Sequence, residues 1–246
     1  MIFRRFLQRF RQQQWGAIAT ELVIVIFGVF IGMQVSSWNE EREARHDHVL
    51  AVERYRAEIR ANLEILDTLD RGSAQSLPIV SKALDALLSC QDSPENKAWI
   101  EAGMSAAMGT LGLKMRVSAL HEMTETQRLL AQQSEAERRM FSDTRYRIDV
   151  FQREAEFLET IPLDERMQDN PTIMVGAYVD REVSYAGSDY SRPARKLVLS
   201  VPVNVACKDD RLVKSLFTWE RWQGAMPAVS RVLRQQLEGD LERLEP

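Results

Sequence analysis

At 246 residues and a net charge of −4, the chain has room for one membrane span plus one or two modest globular units. Four arginines and no acid precede Trp15, Glu21 is the one charged residue between Trp15 and Asn39, and everything beyond Asn39 carries a net −7. An acidic body lacks the basic footprint that nucleic acid demands, and neither cysteine sits in a CxxC or His-containing metal pattern.

In the first fourteen residues, Phe3, Phe6, Leu7 and Phe10 recur at helical spacing, with Arg4, Arg5, Arg9 and Arg11 between them. This predicts either a short amphipathic helix on the inner membrane face, its arginines near headgroups, or a basic tail that only sets topology. From Trp15 to Trp38 the chain is apolar for about 23 residues, roughly 35 Å as a helix, with a tryptophan at each end, and a single membrane span is expected over 15–38. The four arginines outnumber Arg42 and Arg45 beyond the span, so the N-terminus is expected in the cytoplasm and Asn39 onward outside it. A cleaved signal peptide ending near Ser37 is the competing reading, and Trp38 and Asn39 directly after that site argue against it.

Within the span, about 100° per residue places Gly28, Gly32 and Asn39 within about 20° of Glu21, with Val25 beside them, while Ile24, Ile26, Phe27, Phe30 and Ile31 lie elsewhere. Glu21, Val25, Gly28, Gly32 and Asn39 therefore form the candidate helix–helix contact, in which small residues admit a neighbouring backbone and the carboxyl finds a hydrogen-bond partner. Snorkelling of Glu21 to the cytoplasmic interface is the alternative.

Beyond the span, Val49, Val52, Tyr55, Ile59, Leu63, Leu66 and Leu69 recur every three or four residues, predicting that the membrane helix continues unbroken as a long amphipathic stalk over 39–71, its other positions largely Glu, Arg and Asp on the solvated side. His46 and His48, two apart, read as exposed surface residues. Arg71-Gly72-Ser73 is expected to close the stalk, followed over 72–246 by a mainly helical extracytoplasmic bundle. Its helices are expected at Leu77–Cys90 with Pro78 in the first turn, at Glu95 to about Met108 with Ser93 as N-cap, and from about Arg116 to Leu130. A longer helix then runs to about Thr160, where Pro162 ends it. Residues 170–207 read as irregular or as short strands, Thr172–Tyr178 and Leu197–Ala206, weakened by Pro202. A terminal helical stretch from Asp209, interrupted near Gly224 and Pro227, carries Trp219 and Trp222 as core anchors. The fold class is thus mainly α: one transmembrane helix, a stalk and a helical bundle with a short β-hairpin or extended insert.

His121-Glu122 with Glu125 only partly matches the HExxH zinc motif, because a glutamate occupies the second histidine position. On the predicted orientation Cys90 and Cys207 both lie outside the cytoplasm, where they can pair as a disulfide. Two buried free thiols are the alternative.

The run ELVIVIFGVFIGMQVSSWNEER, from Glu21 to Arg42, resembles the opening of a family of uncharacterised bacterial single-span membrane proteins, a domain of unknown function. The matching positions are Glu21, Gly28, Gln34, Trp38, Asn39 and Glu40; Gly32 departs from the pattern, since that family more often has alanine there. A looser similarity covers Ala119 to Phe141. The resemblance implies a membrane-anchored, mainly helical extracytoplasmic domain and brings no activity. Gly16, Ala17 and Glu21 also resemble the processing site of type IV pilins and Tad-type pseudopilins, which implies a cut after Gly16.

These readings converge on a non-enzymatic interaction or scaffold protein of a bacterial inner membrane. No catalytic residue, cofactor or metal is expected, and its partners are the bilayer and either a second copy or another inner-membrane protein. An envelope hydrolase built from distant residues such as His121 and Ser200 is the alternative from another class.

Overall fold

One helix carries the whole molecule. In this computed structural model, which describes residues 15–164, 167–185 and 188–245, α1 runs unbroken over Trp15–Leu88, 74 residues and roughly 110 Å long. The amphipathic segment expected over 1–14, with Arg4, Arg5, Arg9 and Arg11, lies outside the described residues, as does the side chain of Trp15. From Leu22 to Trp38 the helix is bare and apolar, long and hydrophobic enough to cross a membrane. Burial then begins at Ala44, six residues after Trp38, and continues through Ala51, Tyr55, Ile59, Asn62, Leu66, Leu69 and Ser73.

The helix continues unbroken through 39–71 as its apolar spacing predicts, and from Ala44 onward one stripe of it is buried by the helices around it, which makes it the central helix of the bundle. One expectation is corrected: Arg71-Gly72-Ser73 does not end it. Gly72 is a close-approach residue, since an added Cβ would sit 3.1 Å from Leu111 Cδ2, and the Ser73 hydroxyl donates back to Leu69 O at 2.9 Å within the same helix. Pro78 removes one i→i−4 bond without ending the helix, because the residues after it are clamped by the core: Val80, Ala83 and Leu87 are all buried.

The remaining elements wrap this rod. They are α2 (Pro94–Ala106), α3 (Ser118–Glu125), α4 (Gln127–Gln132), α5 (Glu135–Asp164), a 3-10 turn (Met167–Asp169), β1 (Ile173–Tyr185), β2 (Ser188–Leu199), α6 (Val203–Ala206), α7 (Asp210–Gln223) and α8 (Met226–Leu244). Ser93 caps α2 as its spacing predicts, accepting from Asn96 N at 3.1 Å with Pro94 in the first turn. The expected helix from Arg116 to Leu130 is two short ones, and α5 runs past Pro162 to Asp164. The strands are longer than expected and pair as one antiparallel hairpin, with a bulge between Val175 and Tyr178. Gly176 is needed at that bulge, because a Cβ there would lie 3.0 Å from Val198 Cγ1. Pro202 falls beyond β2, where it starts α6.

Two cores lie along α1. The proximal core, nearer the apolar end, joins Tyr55, Ile59 and Leu66 to Leu120 and Met123 of α3, Phe141 and Ile148 of α5, and Leu233 and Leu237 of α8. The distal core joins Val80, Ala83 and Leu87 to Ile100 and Met104 of α2, Leu197 and Leu199 of the hairpin, and Leu216 and Trp219 of α7. Segment 107–117 has no helix or strand of its own across the middle of the bundle, so its polar backbone is satisfied by side chains. Trp219 Nε1 donates to Gly109 O at 2.7 Å, Leu111 N donates to Gln223 Oε1 at 2.6 Å, and Asn62 makes a paired contact with Arg116 N and O at 2.7 and 2.8 Å.

Candidate functional site

The candidate contact face of the span stands open. Glu21, Val25, Gly28, Gly32 and Asn39 are all exposed, and a Cβ added at Gly28 or Gly32 would meet nothing within 4 Å. Trp38 projects freely at the end of the apolar stretch. Because α1 is continuous, the azimuth of this face can be carried into the bundle. Asn39 and Tyr55 are 16 residues apart, which at about 100° per residue puts them roughly 160° from one another around the helix axis. The small and polar face of the span therefore points away from the side on which the bundle packs.

At the opposite end, Cys90 and Cys207 are bonded as a disulfide, their Cα atoms 5.4 Å apart, within the usual range for such a bridge. It ties the end of α1 to the short α6, across 117 residues of sequence. Cys90 has a backbone φ of 53°, the left-handed conformation that commonly follows a helix and usually falls to glycine or asparagine. Nearby, Val203 N donates to Asp92 Oδ1 at 3.0 Å, so the same corner is fastened without the bridge as well.

The proximal core contains a buried polar node that periodicity did not reveal. Asp240 is fully buried; its Oδ2 accepts from Tyr55 Oη at 2.8 Å and Thr144 Oγ1 at 2.6 Å, and its Oδ1 accepts from Gln236 Nε2 at 3.0 Å. Burial pushes the Asp240 carboxyl above the usual carboxylate range, against these donors and Arg243, which favour the charged form. Burial first, and then the adjacent Asp240, push the Tyr55 phenol far above its ordinary value. The node joins α1, α5 and α8. Gly239 and Asp240 carry no apolar signal, so helical spacing alone does not mark position 240 as part of the core.

The residues that prompted catalytic readings are engaged elsewhere. Glu122 forms a two-point ion pair with Arg54 at 2.6 and 3.1 Å, and Glu125 pairs with Arg145 at 2.5 Å. His121 borders an open groove of about 710 Å³ between α3 and α5, whose charged groups are largely tied in ion pairs, Arg145 to Glu125 and Asp149 to Arg153. Ser200 sits at the foot of the hairpin in the distal half, its hydroxyl donating to Pro171 O at 3.2 Å, and His121 belongs to the proximal half. The two are not brought together. His46 is exposed as expected, whereas His48 is half-buried with Nε2 3.9 Å from Glu137 Oε1, because α1 here already flanks the start of α5. Trp219 is a core anchor, and Trp222 packs edge-on against Phe157. Among the described residues no three His, Cys, Asp or Glu side chains are grouped to hold a metal ion.

No protein-family model, curated protein or solved structure matches this chain. The candidate site consists of an open helical face, a bundle rotationally fixed to it by the continuous α1, and a covalent closure at the far end.

Proposed function

We propose that this is a single-span anchor of a bacterial inner membrane, its N-terminus cytoplasmic and its bundle outside, serving as a non-enzymatic scaffold or accessory subunit. The observation that carries the reading is the continuity of α1, which joins an exposed apolar stretch directly to a bundle closed by a disulfide. Disulfides persist in oxidising compartments, which supports the same orientation as the arginine asymmetry before Trp15. The resemblance of Glu21 to Arg42 to the uncharacterised single-span family supports it too.

The partner binds through Glu21, Val25, Gly28, Gly32 and Asn39. Gly28 and Gly32 let a second helix approach closely, and Glu21, about 9 Å inside Trp15, gains a hydrogen-bond partner in place of lipid. A helix on that face lies away from the buried stripe of α1 at Ala44, Tyr55 and Ile59, on which the bundle packs. In a symmetric pair the two bundles accordingly point outward. Glu21→Ala and Gly28→Leu are each expected to reduce crosslinked adducts in native membranes, while Phe30→Leu leaves them unchanged. Undiminished adducts in both face variants would reduce the helix to a simple anchor.

A further inference from the structure

The hairpin leaves the bundle with one of its edges open. Only its foot is in the distal core, through Ile173, Leu197 and Leu199. Beyond that foot Met174, Val175 and Tyr178 are 53%, 61% and 63% exposed. The main neighbours of β1 are β2 and the 3-10 turn before it, whereas β2 also lies against α2, with Leu199 N donating to Glu101 Oε1 at 3.2 Å. Among the described residues no backbone group from Met174 to Glu182 is bonded outside the hairpin.

The two edges differ in chemistry. Asp180 is paired with Pro193, which has no N–H. In an antiparallel ladder a hydrogen-bonded pair exchanges two N–H···O bonds, which a proline cannot do, so this is a non-hydrogen-bonded pair and both residues turn their backbone groups outward. On the β2 side Pro193 therefore removes the outward donor, and that edge is blunted. On the β1 side the same parity aims the N–H and C=O of Tyr178, Asp180 and Glu182 at solvent. An isolated two-stranded ribbon is marginal in water, and a third strand on β1 completes it.

We propose that the β1 edge is a docking strand for an extended segment of another protein in which basic and apolar side chains alternate. Side chains on one face of β1 at the open positions are Tyr178, Asp180 and Glu182, so the neighbouring positions of an added strand favour Lys or Arg; Val179 on the other face favours an apolar neighbour. The same carboxylates oppose a second copy: antiparallel self-pairing centred on Arg181 sets Asp180 against Glu182, and centring on Asp180 sets it against itself. This inference does not depend on the membrane reading.

The test uses the full chain in nanodiscs of zwitterionic lipid, which remove any attraction of basic probes to the bilayer, and a capped nine-residue peptide of alternating Lys and Val. Asp180→Pro removes the outward donor while leaving the hairpin ladder intact, as Pro193 does from the opposite strand. Asp180→Lys/Glu182→Lys reverses the charge. The wild type is expected to bind the Lys-Val peptide and not its Glu-Val counterpart. Asp180→Pro is expected to weaken binding by about tenfold or more, and the double lysine variant to exchange one preference for the other. Circular dichroism of Asp180→Pro checks that the fold is kept. Equal binding by wild type and Asp180→Pro would show charge attraction without strand addition, and an Asp180→Pro-sensitive dimer in sedimentation would show that the occupant is a second copy. Either result, or no binding of the Lys-Val peptide, would overturn the proposal.

Discussion

The two halves of the bundle share one helix and are closed by different chemistry. The proximal half, next to the span, is held by charge and hydrogen bonds: Arg128 reaches Glu43 and Asp47, Arg54 grips Glu122, Glu58 caps α3 by accepting from Ala119 N and Leu120 N, and the Asp240 node sits inside. The distal half is held by close backbone approach and a covalent bond. Gly103 of α2 lies against α1 so tightly that a Cβ there would fall 2.1 Å from Ala83 Cβ, and Cys90–Cys207 closes the corner above it. The proximal half is thus expected to respond to protons and the distal half to reductant.

The largest effect is expected at the distal end. Cys90→Ser/Cys207→Ser opens a loop closed across 117 residues, worth about 4–5 kcal/mol in the chain-entropy model and commonly less when measured. Thermal unfolding in detergent with and without reductant reads it, and reductant should shift the wild type but not the double variant. Cys90→Gly/Cys207→Ser sharpens this by recovering about 1 kcal/mol, since glycine accepts the φ of 53° without strain. A larger loss in the glycine pair would show that the backbone at position 90 carries no strain.

Next comes Gly103→Ala, expected to cost about 1–3 kcal/mol by forcing α1 and α2 apart, whereas Gly239→Ala, with open space around it, should be neutral or slightly stabilising. In the proximal half, Asp240→Ala leaves the buried Tyr55 and Thr144 hydroxyls without their acceptor, at about 1–3 kcal/mol.

The node also has a pH signature. The Asp240 pKa is raised in the fold by burial, so its ionisation is harder in the folded than in the unfolded chain. Its contribution to stability is therefore most favourable at low pH and declines as pH rises from the ordinary carboxylate value of 3.8 through the raised one. Asp240→Asn should flatten the slope of stability against pH in that window, and an unchanged slope would assign it to other groups. Smallest is Glu58→Ala, at about 1 kcal/mol for the lost cap, because Val117 offers no side-chain cap to α3.

The parts of this structure that could be read from spacing are those where one physical signal dominates. The long apolar start of α1, the capped start of α2 at Ser93-Pro94, and the paired helices around Gly224 and Pro227 belong there, as does the hairpin as an insert between helices. Misreadings arose where tertiary contacts outweigh local preference. Gly72 and Pro78 signal a break, yet the packing of Leu111 and the distal core keep α1 whole. Along this part of α1 the spacing marks the large apolar residues, but the buried stripe is set as much by Ala44, Ala51, Asn62 and Ser73, which are small or polar, while Val49 is exposed. Segment 107–117 and the Asp240 node rest on single buried polar side chains drawn from distant elements, and no periodicity announces those. Of the candidate site, the sharing of one helix face by Glu21, Gly28 and Gly32 follows from spacing alone, and the Cys90–Cys207 disulfide is one of the two readings the sequence leaves open. That the span's small face and the bundle lie on opposite sides of α1 required knowing that the helix is continuous.

Whether α1 crosses the membrane and holds the bundle on the far side is tested most directly by accessibility on the two sides of the bilayer. Single cysteines placed at Gln13 and Tyr146, in a chain whose Cys90 and Cys207 stay paired, would be probed with a membrane-impermeant maleimide in intact spheroplasts. Labelling at position 146 with protection at position 13 until the membrane is permeabilised is the expected result. Protection at 146 with labelling at 13 would contradict the orientation, and labelling at both positions would contradict the span itself.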